Sequence, residues 1–135
     1  MIQRIQTVFL LLAFILDVSV FFNAIYSHAM DDPQRWVGIG FATVLTLSAL
    51  GSLGCIFLYK DRLNQIKWLN RCMIFQVLAT GYGIGIVLSL GGFGMYLWDE
   101  ALGAGILFVA LLAQLYARKK IRDDEELVKS MDRIR

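Results

Sequence analysis

Asp17 is the residue whose type and position could do chemistry in this chain. It stands near the middle of an apolar block, TVFLLLAFILDVSVFFNAIY, in which every other residue is uncharged. An ionised carboxylate at the centre of a bilayer costs roughly 2.5–3.5 kcal/mol on insertion scales, so it must be neutral, paired or hydrated. Asp17 is therefore expected either to bond to polar side chains of neighbouring helices or to bind a proton or cation.

Three uses of Asp17 stay open on the sequence alone: structural pairing within the protein, an interface with another protein, and transport or proton transfer. Small multidrug resistance transporters also have four spans and an acidic residue in the first span, which is a resemblance of architecture only. The candidate intramembrane polar site is Asp17 with Asn23 and Gln76, and further hydrogen-bond partners could come from Thr43, Thr46, Ser48 or a tyrosine.

No other group of residues matches a known catalytic or ligand-binding pattern. His28 is the only histidine, and its neighbours Asp31 and Asp32 make a weak metal site the alternative to a solvated loop. Cys55 and Cys72 are not part of a CxxC motif and are expected to be buried thiols. We find no nucleophile with a suitably spaced base, no phosphate-binding loop and no HExxH. The sequence therefore predicts no enzyme, no cofactor and no metal.

Four apolar blocks would position these residues. Of the 135 residues, 58% are hydrophobic and only 18% are charged, and the mean hydropathy is +0.62. This composition excludes a disordered chain, a disulfide scaffold and a typical cytosolic enzyme. The net charge of +2 is too small to indicate nucleic-acid binding. We predict an all-α polytopic membrane protein, a bundle with transmembrane helices at about 7–26, 36–59, 72–90 and 98–117.

The basic residues predict an orientation. Twelve of the thirteen Lys and Arg residues lie before the first span, between the second and third, or after the fourth. The opposite loops contain Arg35 alone, together with four acidic residues: Asp31, Asp32, Asp99 and Glu100. Because cytoplasmic loops retain basic residues, both termini are expected in the cytoplasm and the protein in the inner membrane. A cleavable signal peptide fits poorly, since the first block has an acid at its centre, so the first span is expected to be retained.

Small residues recur four positions apart within the predicted spans, which places each pair on one helix face. The pairs are Gly38 with Ala42, Gly81 with Gly85, and Ala101 with Gly105. In a bilayer such faces allow close helix packing. Packing within the monomer is the expected use, and homodimerisation is the alternative.

The segment 118–135 is charged and amphipathic. If the fourth span continues as a helix, Arg122 with Glu126 and Glu125 with Lys129 form i, i+4 ion pairs. A narrow apolar stripe then follows the same helix, formed by Leu127, Val128, Met131 and Ile134. The stripe predicts a docking tail for a protein partner or for the basic segment between spans two and three. A solvated helix stabilised by its own ion pairs is the alternative.

The two ends of the chain carry a resemblance. The opening MIQRIQT and the closing DEELVKSMDRIR resemble those of a bacterial family of uncharacterised four-span membrane proteins with a domain of unknown function. The family also has a basic segment between spans two and three, here RLNQIK. The resemblance implies an integral inner-membrane protein of a Gram-negative bacterium and carries no activity or cofactor. Our expectation is a non-enzymatic accessory subunit in contact with lipid and with a protein partner or a second copy, and a small dimeric carrier is the alternative.

Overall fold

The computed structural model describes residues 2–91 and 96–134, and the side chains of those residues from Ile5 onward. The described residues are helical apart from short connections. The helices are α1 (Ile2–Val20), α2 (Ala24–Asp31), α3 (Arg35–Phe57), α4 (Arg62–Ser89) and α5 (Trp98–Ile134). The glycine-rich part of the loop expected between spans three and four, 92–95, lies outside the described residues, as do Met1, Arg135 and the side chain of Arg4.

The first apolar block forms two helices where the sequence predicts one span over 7–26. α1 ends at Val20, and α2 begins at Ala24 after a bend of 50°. The cause lies at Asn23, whose backbone is extended and whose side-chain oxygen accepts a hydrogen bond from the Ile25 amide. Asparagine favours such a capping position over a helix interior, because its side chain competes for backbone donors. The apolar composition of the block is continuous, but the helix is interrupted between Val20 and Ala24.

The third apolar block belongs to a longer helix than the predicted span 72–90. α4 begins at Arg62, so the basic segment expected to be a loop is helical. Asp61 caps this helix by accepting a hydrogen bond from the Asn64 amide. Only the short stretch after Phe57 and before Arg62 connects α3 to α4.

The fourth apolar block and the charged tail form one uninterrupted helix. α5 has 37 residues, which corresponds to a length of about 55 Å. Its buried residues continue past the predicted end of the span to Ile121 and Asp124. Both predicted ion pairs form, with 3.4 Å between Arg122 and Glu126 and 3.3 Å between Lys129 and Glu125.

The four long helices form a closed ring in which α1 packs on α3 and α5, and α4 packs on the same two helices. Two apolar clusters fill the interior. One includes Val20, Phe41 and Leu107 together with Ile25 of α2, and we call this end of the bundle the α2 end. The other includes Leu10, Cys55 and Ile121 and lies at the end where α3 connects to α4. We call this second end the basic end, because the Lys and Arg residues of α4 and of the tail lie there.

Three of the helices, α3, α4 and α5, are each long and apolar enough to cross a membrane. The bent pair α1 and α2 meets the same criterion if it counts as a single span. The described residues are therefore all-helical outside their connections, and three to four of their helical segments are apolar and long enough to span a membrane. The predicted class is confirmed at this level.

Candidate functional site

A layer of buried polar side chains lies between the two apolar clusters. Each of the four long helices contributes to it. The members are Asp17 of α1, Ser48 and Ser52 of α3, Gln76 and Thr80 of α4, and Gln114 of α5, all of which are buried. Because polar groups away from water must find partners within the protein, the layer fixes the relative position of the helices.

Gln114 connects α5 to two other helices. Its Nε2 lies 2.8 Å from Ser52 Oγ, 3.3 Å from Ser48 Oγ and 3.1 Å from Gln76 Oε1. A single amide group thus reaches acceptors on α3 and α4 at once. Removing this side chain would take the donor away from three buried oxygens.

Gln76 and Ser48 complete the connections around Gln114. The Ser48 hydroxyl donates a hydrogen bond to Gln76 Oε1. Gln76 Nε2 donates to the backbone oxygen of Leu107 at 3.2 Å. Thr80 Oγ1 donates to the backbone oxygen of Gln76 at 2.8 Å and also lies 3.5 Å from the backbone oxygen of Leu107. The side chain of Gln76 therefore joins α3, α4 and α5.

Asp17 is 0% exposed and lies beside Ser48 and Gln76. Within the described part of the chain, neither of its carboxylate oxygens accepts a well-aligned hydrogen bond, and the same holds for Oε1 of Gln114. The polar layer thus has more acceptors than donors around Asp17. A carboxylic-acid proton would supply one missing donor without requiring any additional space.

The structure places the three predicted members of the polar site differently. Asp17 and Gln76 come together, whereas the side chain of Asn23 caps α2. Thr43 and Thr46, also considered as partners of Asp17, are exposed and donate to their own helix at Ile39 and Ala42. Of the hydroxyls considered, that of Ser48 lies beside Asp17.

Sequence reasoning missed three members of the layer: Ser52, Thr80 and Gln114. Two of them follow a predicted or considered residue by four positions, since Ser52 follows Ser48 and Thr80 follows Gln76. A search for polar pairs at i, i+4 in apolar blocks would have found both. Gln114 carried the same signal as Gln76, a lone amide in an apolar block.

The predicted small-residue pairs are used unequally. A Cβ atom at Gly38 would lie 2.6 Å from the backbone oxygen of Ala29, so α2 and α3 approach closely there. At Gly81, Gly85 and Gly105 nothing lies within 4 Å of a Cβ atom, and these three residues face outward. Within the described residues these three glycines make no close contact between helices, so nothing there supports their predicted role in packing within the monomer.

Ala42 and Ala101, the remaining small residues of the predicted pairs, are half-buried. The close helix contacts that the prediction missed involve other glycines. A Cβ atom would lie 2.4 Å from Cys72 Sγ at Gly51, 2.8 Å from Leu107 at Gly83, and 2.5 Å from Asn23 Oδ1 at Gly103. Each of these glycines is buried between helices.

The predicted tail separates into a part that packs and a part that does not. Asp124 is buried and lies 3.1 Å from Arg62 at the start of α4. Beyond Glu125 every described residue is exposed. The exposed fractions of the apolar stripe are Leu127 50%, Val128 40%, Met131 66% and Ile134 87%.

At the α2 end, a second polar contact holds α2 against α5. His28 Nε2 lies 2.8 Å from Glu100, whose side chain is almost fully buried. The predicted neighbours Asp31 and Asp32 do not join it in a metal site, and no group of three metal-ligating residues occurs in the part of the chain that the structure describes. Cys55 and Cys72 are free and buried, as predicted.

Comparison with known proteins agrees with an uncharacterised family that has a domain of unknown function. Neither the curated proteins nor the solved structures contain a match. A family model does match, over residues 2–134. This range covers all five helices and the whole polar layer. The chain therefore belongs to the family described as Domain of unknown function (DUF4293).

Proposed function

We propose that this protein is a non-enzymatic accessory subunit of an inner-membrane assembly, with four spans and both termini in the cytoplasm. In this proposal the bundle is a rigid anchor, and the end of α5 binds a protein partner. The observation that carries the proposal is the apolar stripe of the tail. The tail itself continues the helix of the last span beyond the bundle.

The geometry of α5 supports a protein partner for the stripe. The nine residues after Glu125 extend about 14 Å beyond the bundle. Since the tail continues the direction of a spanning helix, the part of the helix that carries the stripe extends away from the bilayer. Leu127, Met131 and Ile134 are spaced i, i+4, i+7, the pattern with which amphipathic helices enter hydrophobic grooves.

The polar layer supports the role of a rigid anchor. Gln114 lies in the same helix as the stripe and bonds to α3 and α4. Arg62 and Asp124 fix α5 again just before it leaves the bundle. A partner on the tail would thus be held at a defined position relative to the membrane.

The test is purification of the tagged full-length protein from its native membranes in mild detergent, with mass determination of what accompanies it. We expect a stoichiometric partner that is lost in the double variant Leu127→Gln, Met131→Gln, because glutamine keeps the helix but removes the apolar contact. Asp132→Asn, on the same exposed helical segment, is the matched control and should retain the partner.

The outcomes separate the proposals. Retention of the partner by the double variant would refute the role of the stripe. A protein that emerges alone as a monomer would refute the accessory role, whereas a defined dimer without a partner would favour the second candidate.

The second candidate is a small dimeric proton-coupled carrier that uses Asp17. The observation that favours it is the excess of buried acceptors around this carboxylate. Such a carrier should lose transport in Asp17→Asn while the protein still folds, since asparagine keeps the shape of the side chain but cannot exchange the proton. Unchanged function in this variant would remove the carrier.

A further inference from the structure

A groove of about 370 Å³ runs between α3 and α4 on the outer surface of the bundle. Its floor forms where Gly51 meets Cys72, because α3 presents no side chain at that point and a Cβ atom would lie 2.4 Å from Cys72 Sγ. Leu47, Leu50 and Phe75 form its sides. This part of the groove is therefore apolar.

Two residues of a different kind, Trp68 and Arg71, also line this groove. Both are exposed, as is Lys67, which lies four residues before Arg71 on the same face of α4. Among the described residues, neither Arg71 nor Lys67 belongs to an ion pair. The apolar groove thus adjoins two positive charges without protein counter-ions.

Arg71 lies deeper than the end of the neighbouring helix. Gly51, which packs against Cys72, comes six residues before the end of α3 at Phe57. Six helical residues span about 9 Å. A long basic side chain at this depth extends towards the headgroup region, with its aliphatic part along the apolar surface. Tryptophan is enriched at the same level of a bilayer.

We propose that the α3–α4 groove binds an anionic phospholipid, with one acyl chain against the apolar sides and the phosphate at Arg71 and Lys67. Charge complementarity argues for this occupant, because the groove supplies cations at one end and hydrocarbon along the rest. Basic pockets between spanning helices bind anionic headgroups by the same combination. The site is separate from the tail stripe and does not depend on the proposed partner.

Trp68 is a built-in reporter of this site. The other two tryptophans, Trp36 and Trp98, lie in the first turns of α3 and α5, at the opposite, α2 end. The double variant Trp36→Phe, Trp98→Phe leaves Trp68 as the only tryptophan. In nanodiscs, brominated phosphatidylglycerol is compared with brominated phosphatidylcholine at equal mole fractions, and quenching of Trp68 fluorescence measures occupancy.

We expect stronger quenching by the brominated anionic lipid, by at least twofold. Arg71→Gln should abolish the difference, and Arg71→Lys should retain it because the charge remains. Lys119→Gln removes an exposed basic residue of α5 at the same end of the bundle and should leave the difference unchanged. Circular dichroism of each variant checks that the helices are intact.

Equal quenching by the two lipids would overturn the proposal, as would a preference that survives Arg71→Gln. If Arg71→Gln does not fold, retention in Arg71→Lys together with loss on Lys67→Gln supports the site, and unchanged quenching in Lys67→Gln counts against it. In a last experiment, free inorganic phosphate is added and the quenching by the two lipids is compared again. The phosphate should not displace the lipid, and a difference that disappears with phosphate would identify a simple anion site instead.

Discussion

At the scale of single residues, the central feature is how one amide joins three helices. The Gln114 amide bonds directly to Ser48, Ser52 and Gln76. In a bilayer each such hydrogen bond contributes about 0.6–2 kcal/mol, because the unfolded chain also finds partners. The strength of the layer comes from the number of helices it connects.

Gln114→Leu should destabilise the bundle. Leucine fills a similar volume but leaves buried oxygens on α3 and α4 without their donor, at a cost of about 1–3 kcal/mol. The measurement is the unfolding midpoint of the purified protein in a denaturing-detergent titration. Thr46→Val is the control, because that hydroxyl is exposed and bonds only to its own helix. Equal midpoints for both variants would contradict the role of Gln114.

Part of this layer could be predicted from single residues. Asp17 and Gln76 are recognisable because a polar side chain in an apolar block needs a partner. The assignment of partners could not be predicted in the same way. Gln114 meets Ser52 across 62 positions of the chain, and no local spacing contains that information. Asn23 illustrates the opposite case, since its partner is the amide two residues later.

At the scale of elements, α2 is the least expected part of the fold. It packs across the α2 end of the bundle, with Ile25 in the apolar cluster and His28 against Glu100. No proline or glycine marks the break before it, so hydropathy alone predicts one continuous span. In α5 the composition changes from apolar to charged, but the helix continues without a break.

Gly103→Ala and Gly105→Ala should have opposite effects although they lie two residues apart in α5. In a helix interior, replacing glycine by alanine stabilises by about 0.5–1 kcal/mol where there is space. At Gly105 nothing lies within 4 Å of the new atom. At Gly103 the new atom would lie 2.5 Å from the capping oxygen of Asn23 and 2.6 Å from Ile25.

The unfolding midpoint should therefore fall for Gly103→Ala and stay or rise for Gly105→Ala. Asn23→Ala, which removes the cap at a cost of about 1 kcal/mol, should reduce the additional effect of Gly103→Ala. If Gly103→Ala were as stable as Gly105→Ala, the close contact between α2 and α5 would not exist in solution.

At the scale of the whole molecule, a polar layer separates two apolar clusters, and the basic residues of α4 and of the tail lie at one end. The basic end contains the connection between α3 and α4 and the long tail of α5, whereas the α2 end contains the His28–Glu100 pair. The positions of the apolar helices are predictable from composition, whereas the orientation that the basic residues indicate stays a prediction. The position of the tail relative to the bundle depends on the contact between Arg62 and Asp124, which composition does not reveal.

The proposed orientation is testable by thiol labelling. Ser27 in α2 and Ser130 in the tail are exposed at opposite ends of the molecule. In a variant with Cys55→Ala and Cys72→Ala, single Ser27→Cys and Ser130→Cys substitutions provide one thiol each. A membrane-impermeant maleimide should label intact spheroplasts at position 27 only, and lysed ones at both positions. Labelling of position 130 in intact spheroplasts would reverse the orientation.

The position of Gln114 in the last helix has a consequence for synthesis. Translation produces Ser48, Ser52 and Gln76 before Gln114, so these residues lack this donor until α5 joins the bundle. A chain that stops before α5 therefore leaves Ser52 and Gln76 without the Gln114 donor. We expect chains truncated before Trp98 to be degraded, so that only completed copies accumulate.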